Sequence, residues 1–155
     1  MALCEPTEVM DGLSEWVNSI RRGARPRYLM GVGTPVNILE GIERGVDMFD
    51  CVMPTRNGRN GQLFTAEGVI NIRNKKWEDD FSPVDPAGTA FVDRLYSKAY
   101  LHHLCVCGEM LAAEIASLHN IAFYLRLVGA AREHILAGDF RAWKEGMVEK
   151  LTRRL

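Results

Sequence analysis

RYLMGVGTP at residues 27–35 and GVDMFDCVM at residues 45–53 decide the fold. Each contains a short apolar run that predicts a β-strand. Between them, Thr34 followed by Pro35 predicts the N-cap and first turn of a helix, because a threonine hydroxyl caps helices and proline fits the first turn. Gly45 predicts the end of that helix.

A further helix is predicted before the first strand. Apolar residues recur at helical spacing from Val9 to Ile20, and Gly23 with Pro26 provides a stop signal. The order helix, strand, helix, strand is typical of parallel α/β architecture.

The remaining sequence predicts a hairpin and then helices. Residues 54–61, rich in Pro, Arg, Asn and Gly, predict a loop, and residues 62–73 predict a β-hairpin with a turn ending at Gly68. From Tyr96 onward the pattern is helical, and Asp139 predicts the N-cap of the last helix. We therefore predict two domains, at residues 1–73 and residues 74–155.

The composition is that of an ordinary soluble globular protein, with 155 residues, 47% hydrophobic, 25% charged and a net charge of -1. We find no run of roughly 18 apolar residues and no secretory signal, and we expect a cytoplasmic location. We also expect no disulfide among Cys4, Cys51, Cys105 and Cys107.

Two groups of basic residues contrast with the near-neutral total charge. The first group is Arg56, Arg59, Arg73, Lys75 and Lys76, and the second is Lys144, Lys150, Arg153 and Arg154. Each could be a solvated surface or a local contact for nucleic acid.

Asp50 is the candidate catalytic residue, because it is an acid at the end of an otherwise apolar strand. In parallel α/β barrels, functional residues lie at the carboxyl ends of strands. Burial of a carboxylate costs several kcal/mol unless it is paired or used. The alternative is a structural acid bonded to a backbone amide or to Arg56.

Three other motifs carry weaker signals. GVGTP at residues 31–35 favours a tight strand-to-helix turn over a phosphate-binding loop. HHLCVC at residues 102–107 suggests a metal, but on a helix at most two of its four ligands could share a face. His119 and His134 are interpreted, from their own positions, as packed or surface histidines.

The motifs RYLMGVGTP, GIERGVDMFDCVMPTRNGRNG, YSKAYLHHL and SLHN closely resemble the tRNA-guanine transglycosylases in order and spacing. The resemblance covers nearly the whole chain from Ala2, and FDCVMPTR is a signature of the bacterial and eukaryotic type. It implies a TIM-barrel enzyme that exchanges the wobble guanine of tRNA for a 7-deazaguanine. In bacteria that base is the 7-aminomethyl precursor of queuosine. The expected fold is α/β: the last two strands of a (β/α)8 barrel, a hairpin insertion and a C-terminal helical subdomain.

The resemblance also implies roles for individual residues. Asp50 matches the nucleophile that attacks the ribose anomeric carbon and holds the tRNA as a covalent ester. Met30 matches the residue that packs on the base, and Ala2 to Glu5 match the segment at its exocyclic side, where Leu3 favours a small precursor. Contacts to the anticodon are implied for Arg56 and Arg59, and contacts in a homodimer are implied for Tyr96, Tyr100 and His103.

The chain departs from the family at the structural zinc, which the family holds with three cysteines and a histidine. Gly88, Ala90 and Asp93 occupy the cysteine positions, and only His119 remains. Because a structural zinc site needs four ligands, we predict no zinc and no other cofactor.

The resemblance places the general acid/base aspartate, a base-recognising aspartate, a glutamine and six barrel strands before the position of Ala2. We therefore expect this chain to be a C-terminal portion that needs the missing N-terminal half for activity. The alternative is a non-catalytic module that binds tRNA or takes part in assembly.

Overall fold

The computed structural model describes residues 25–155, which belong to two compact units. The first unit ends at Val52 and the second comprises Met53–Leu155, so the division falls earlier in the chain than the predicted boundary after residue 73. The helix predicted over residues 9–20 lies outside the described residues, as do Ala2, Leu3, Cys4 and Glu5.

The first unit is a strand-helix-strand unit, as predicted. Strand β1 is Tyr28–Met30, helix α1 is Pro35–Glu43 and strand β2 is Met48–Asp50. The two strands are parallel, with Met30 opposite Asp50. The Thr34 hydroxyl accepts the Asn37 backbone N–H at 3.1 Å, which confirms the predicted cap.

Only one face of the β1–β2 pair is covered within residues 25–52. Leu29 and Phe49 pack with the buried Val46, and the Phe49 ring lies so close to Gly41 of α1 that a Cβ there would be 2.8 Å from Cε1. The opposite face is exposed, with Met30 74% and Met48 53% accessible. Within the described residues the strand pair is therefore buried on one face, because successive side chains of a strand point to opposite sides and α1 packs on the side of Leu29 and Phe49.

The second unit is mainly helical and contains the predicted hairpin. Its elements are helix α2 (Met53–Arg59), strands β3 (Gln62–Thr65) and β4 (Gly68–Asn71), a 3-10 helix (Lys75–Trp77), and helices α3 (Phe91–Leu95), α4 (Lys98–Cys107), α5 (Met110–Ala137) and α6 (Phe140–Thr152). Strands β3 and β4 are antiparallel, with Thr65 opposite Gly68. The hairpin prediction is confirmed.

Helix α2 replaces the loop that the sequence predicted over residues 54–61. Gly58 of α2 lies so close to α5 that a Cβ there would be 2.9 Å from the Ala116 carbonyl carbon. Packing of α2 on α5 therefore outweighs the weak helix propensity of its Asn and Gly residues.

Helix α5 supports the hairpin through a buried amide. The Asn120 side chain donates to the Pro54 and Gln62 carbonyls, both at 2.9 Å, and accepts the Phe64 N–H at 3.0 Å. By length and composition α5 is long and apolar enough to cross a membrane. The core helix of a soluble domain meets the same criteria, and Asn120, with no exposed surface, bonds across to α2 and β3 as such a helix would.

Helix α6 begins after Asp139, as predicted, but without the predicted capping bond. The Asp139 carboxylate is instead 2.8 Å from Nδ1 of His134, whose ring stacks on Trp143 at a centroid distance of 4.8 Å. At the end of α6, Val69 N–H donates to the Arg153 carbonyl at 2.8 Å, which places the C-terminal residues beside β4.

Candidate functional site

Asp50 lies at the carboxyl end of β2, where two donors from the β1 side fix its carboxylate. Its Oδ1 accepts the Tyr28 hydroxyl at 2.7 Å and the Gly31 backbone N–H at 3.1 Å. Within residues 25–52, Oδ2 has no hydrogen-bond partner. The carboxylate is therefore oriented through one oxygen, and the other has lone pairs available for bond formation.

The structure corrects the expectation that Asp50 is buried, because its side chain is exposed. Its environment is set by hydrogen bonds rather than by desolvation. The Tyr28 hydroxyl, followed by the Gly31 amide, lowers the pKa of the Asp50 carboxyl below its ordinary value. The same bond raises the pKa of Tyr28, so the donor remains protonated while the acceptor remains ionised.

Met30, which is predicted to contact the base, is the cross-strand partner of Asp50. Both side chains lie on the exposed face of the strand pair, together with Tyr28 and Met48. Tyr28 is the residue that the sequence interpretation missed. The alternation of side chains along β1 could have identified Tyr28, because it places Tyr28 on the same face as Met30.

Gly31 forms the turn that links β1 to α1. Its φ is +77°, a conformation that favours glycine, and its N–H also bonds the Asp50 backbone carbonyl at 3.0 Å. GVGTP is therefore a strand-to-helix turn, the interpretation that its spacing favoured, and Cys51 Sγ lies 3.7 Å from the carbonyl of Gly33 within it.

In the second unit, Arg56 and Arg59 of α2 are exposed. Their spacing of three residues places both guanidinium groups on neighbouring parts of the helix surface. Within residues 53–155 neither guanidinium has an ion-pair partner. Both groups are therefore available to bind phosphate or base oxygens.

A polar groove of about 470 Å³ lies between the hairpin and the C-terminal residues. Its polar lining consists of Asn60, Gln62, Asn71, Asn74 and Arg154. The other members of the second basic group are already engaged: Arg153 pairs with Glu149 at 2.5 Å, Lys150 is 3.5 Å from Glu67, and Lys144 is buried. The surface interpretation is therefore wrong for Lys144, and Arg154 is the guanidinium that faces the groove.

The four His and Cys residues of HHLCVC fall on two sides of α4, two on each, as its geometry predicted, and Cys107 Sγ lies 3.7 Å from His103 Nε2. His102 and Cys105 are buried, with His102 Nδ1 2.7 Å from the Ile72 carbonyl, whereas His103 and Cys107 are exposed. The thiols of Cys51, Cys105 and Cys107 are free, and burial raises the pKa of Cys105.

Comparison with known proteins identifies the family. The family model described as queuine tRNA-ribosyltransferase matches residues 1–153. The chain belongs to this family.

Individual relatives agree with the family match. The chain is 46% identical over 155 residues to the queuine tRNA-ribosyltransferase of Aquifex aeolicus, which covers 100% of this chain and 41% of the relative. It is 45% identical over 153 residues to that of Pasteurella multocida, covering 99% of this chain and 40% of the relative. The chain thus spans about two fifths of the length of these queuine tRNA-ribosyltransferases.

The residues matched to the family's dimer contacts lie in the second unit. The rings of Tyr96 and Tyr100 stack at a centroid distance of 5.6 Å, and His103 lies one turn further along α4, exposed to solvent. Phe81 and Leu95 lie beside the two tyrosines around one groove. We call Phe81, Leu95, Tyr96 and Tyr100 the aromatic patch; Phe81 and Leu95 are 78% and 65% exposed.

The residues matched to the family's zinc ligands do not fit that metal. Gly88 and Ala90 have no ligand atoms in their side chains, which leaves Asp93 and His119. Across residues 25–155, no group of three or more His, Cys, Asp or Glu side chains could hold a metal ion. Structural zinc sites are closed with four ligands, which these residues do not provide.

Replacement of Tyr28 by phenylalanine tests how the Asp50 carboxyl is tuned. Tyr28→Phe removes the hydroxyl that contributes most to lowering the pKa of Asp50 and keeps the ring, so that pKa should rise toward its ordinary value. A ¹³C NMR titration of the Asp50 carboxyl measures the shift. Tyr100→Phe, in the other unit, is the matched control and should leave Asp50 unchanged. An unaltered Asp50 titration in Tyr28→Phe would contradict this account of the site.

Proposed function

We propose that this chain supplies the nucleophile and the anticodon contacts of a tRNA-guanine transglycosylase, which exchanges the wobble guanine of tRNA for a 7-deazaguanine precursor of queuosine. The observation that carries the proposal is the Asp50 carboxylate beside Met30, whose Oδ1 is held by Tyr28 and Gly31 and whose Oδ2 accepts no hydrogen bond within residues 25–52. Membership of the queuine tRNA-ribosyltransferase family supports the reaction class.

The proposed reaction is nucleophilic substitution at the anomeric carbon of the ribose. A carboxylate oxygen of Asp50 bonds to C1′ while the C1′–N9 bond breaks, and guanine leaves with that electron pair and takes a proton. The incoming 7-deazaguanine loses a proton and displaces Asp50 from the glycosyl ester. An oxocarbenium-like transition state and a covalent ester are the features of a retaining glycosidase.

The hydrogen bonds to Asp50 suit both halves of this exchange. A carboxyl with a lowered pKa is ionised at neutral pH, as a nucleophile must be, and it is also a good leaving group when the second base attacks. The Tyr28 donor stabilises the carboxylate as it departs. We assign Tyr28 as a positioning residue for Asp50.

Met30 is suited to contact the exchanged base, because this residue is 74% exposed next to Asp50. A flexible, polarizable side chain packs well on an aromatic purine. We infer that the face of Tyr28, Met30, Met48 and Asp50 points into a (β/α)8 barrel of which β1 and β2 are the last two strands. Its apolar exposure within residues 25–52 supports this inference, as does the two-fifths coverage of the relatives.

In this proposal, the part of the barrel that corresponds to the rest of the relatives' length supplies the remaining groups. The proton that guanine takes comes from the aspartate that the family resemblance places before Ala2. Leu3, which lies outside the described residues, favours the small 7-aminomethyl base. The exchange activity therefore belongs to the protein that contains this chain together with the N-terminal half of the barrel.

For tRNA, we propose that Arg56 and Arg59 contact the anticodon and that Arg154 in the polar groove contacts an adjoining phosphate. Guanidinium groups bind phosphate oxygens in a bidentate manner, and amides such as Asn74 can bond base edges. The support is that Asn60, the residue after Arg59, lines the same groove as Arg154.

We also propose a homodimer formed through the aromatic patch. Exposed aromatic side chains that surround a groove are typical of protein interfaces, in which Tyr is a common anchor. Tyr96, Tyr100 and His103 match the family's dimer positions.

Asp50→Asn tests the nucleophile in the protein that carries both halves of the barrel. An amide cannot form the glycosyl ester, so incorporation of labelled guanine into tRNA should fall at least about a thousandfold. The tRNA-protein adduct seen on a denaturing gel should also disappear. The matched control is Asp47→Asn, an exposed acid whose carboxylate accepts the Arg27 N–H, and it should retain exchange. Full exchange by Asp50→Asn would refute the proposal.

Arg154→Ala tests whether the polar groove binds tRNA. Loss of one phosphate contact should weaken tRNA binding roughly 3- to 10-fold and reduce the slope of log K against log salt by about 1. Fluorescence anisotropy over a salt series measures both quantities. Arg153→Ala removes the same charge from a guanidinium paired with Glu149 and should have little effect. Equal losses in the two variants would indicate only a general charge effect.

Tyr100→Ala tests the dimer. Removal of an interface anchor should raise the dimer dissociation constant at least about 10-fold, as measured by analytical ultracentrifugation. Leu136→Ala is the control, since Leu136 is 78% exposed near the C-terminal end of α5 and not part of the aromatic patch. A monomer at all concentrations, or equal effects of the two variants, would contradict the proposed interface.

A further inference from the structure

Four positions converge on one small buried volume of the second unit. Asp93 Oδ1 is 2.5 Å from His119 Nδ1, and Asp93 Oδ2 accepts the Ala90 N–H at 3.0 Å. Gly88 faces the same carboxylate, because a Cβ built on Gly88 would overlap the Asp93 side chain. These are the positions matched to the family's three zinc cysteines and its histidine.

The space at the centre of these four positions is filled by the Asp93 carboxylate. Asp93 and His119 are each 1% exposed. Gly88 leaves room for the carboxylate, and Ala90 contributes only its backbone N–H. The four positions surround the Asp93 carboxylate as four ligands would surround a metal ion.

In the Asp93–His119 pair, neither nitrogen of the His119 ring has a free lone pair. His119 Nε2 is 2.8 Å from the Phe64 carbonyl, which can only accept, so Nε2 carries a proton. On the other side of the ring, an ionised carboxylate and a bare Nδ1 would both be acceptors, so a proton also lies between Nδ1 and Oδ1. Both ring nitrogens are therefore engaged in hydrogen bonds.

We propose that Asp93 occupies the position of the metal in a vacated zinc site, and that the Asp93–His119 pair joins α3 to α5 and β3 without a metal. The bonds run from the start of α3 through the carboxylate and the imidazole to the Phe64 carbonyl of β3. A buried pair with every polar atom bonded can perform the crosslinking role of a structural metal. This inference concerns the folded chain and is independent of base exchange.

If the Asp93 carboxylate fills this space, the effect of a substitution at Gly88 depends on which residue is at position 93. An alanine at position 88 must displace the carboxylate when Asp93 is present. Replacement of Asp93 by alanine removes the overlapping Oδ2 and Cγ atoms and leaves only the Cβ of residue 93, 2.8 Å from the Cβ at position 88. Gly88→Ala should therefore lower the melting temperature by at least about 5 °C in the parent chain and by much less in the Asp93→Ala background. Equal effects in the two backgrounds would show that the carboxylate does not fill this space.

Restoration of the ligands tests the site directly. The triple variant Gly88→Cys, Ala90→Cys, Asp93→Cys, produced with zinc present, should bind one zinc per chain, and its melting temperature should fall when a chelator is added. With Co²⁺, it should show thiolate charge-transfer absorption. The same three positions changed to serine provide a control of similar size, which should bind no zinc.

The parent chain is measured in the same experiments. Its metal content by mass spectrometry should be far below one zinc per chain, and a chelator should leave its melting temperature unchanged. Stoichiometric zinc in the parent chain, or a folded triple-cysteine variant that binds none, would overturn the proposal. If the triple-cysteine variant does not fold, the Gly88 and Asp93 double-mutant cycle and the parent metal content still decide it.

Discussion

The parallel register of β1 and β2 is the constraint on which the candidate active site depends. Because Met30 lies opposite Asp50, Tyr28 falls on the same face and its hydroxyl reaches the Asp50 carboxylate. A shift of one residue in either strand would move these side chains to the face covered by α1. Phe49 packs against Gly41 on the side of the strand pair that α1 covers, and this packing keeps Tyr28, Met30 and Asp50 together on the exposed side.

The second unit depends on polar side chains of α5 that are buried. Asn120 bonds the backbone of α2 and β3, and His119 bonds β3 and Asp93. Each of these side chains crosslinks segments that are distant in sequence, and removal of one would leave buried carbonyl or N–H groups without partners. In the proposed account, such bonds perform here what a metal ion performs in relatives with the full ligand set.

Several features were predictable because they depend on local sequence. Thr34 with Pro35 identified the start of α1, the turn at Gly68 identified the hairpin, and the period of α4 predicted that its His and Cys residues would diverge. Helix α2 was not predictable in this way. Its Asn57 and Gly58 favour a loop, and the helix forms because Gly58 permits close approach to the Ala116 backbone.

The sequence by itself determined the family, the strand-helix-strand order and the position of Asp50 at a strand end, because motifs and hydrophobic periodicity depend on residues that are close together in the sequence. Only the tertiary structure decided that Asp50 is exposed and bonded by Tyr28, and that Gly88, Ala90 and Asp93 meet His119. Tyr28 and Asp50 are 22 residues apart, and Asp93 and His119 are 26 apart. Contacts at such separations depend on strand register and helix packing, which no local pattern specifies.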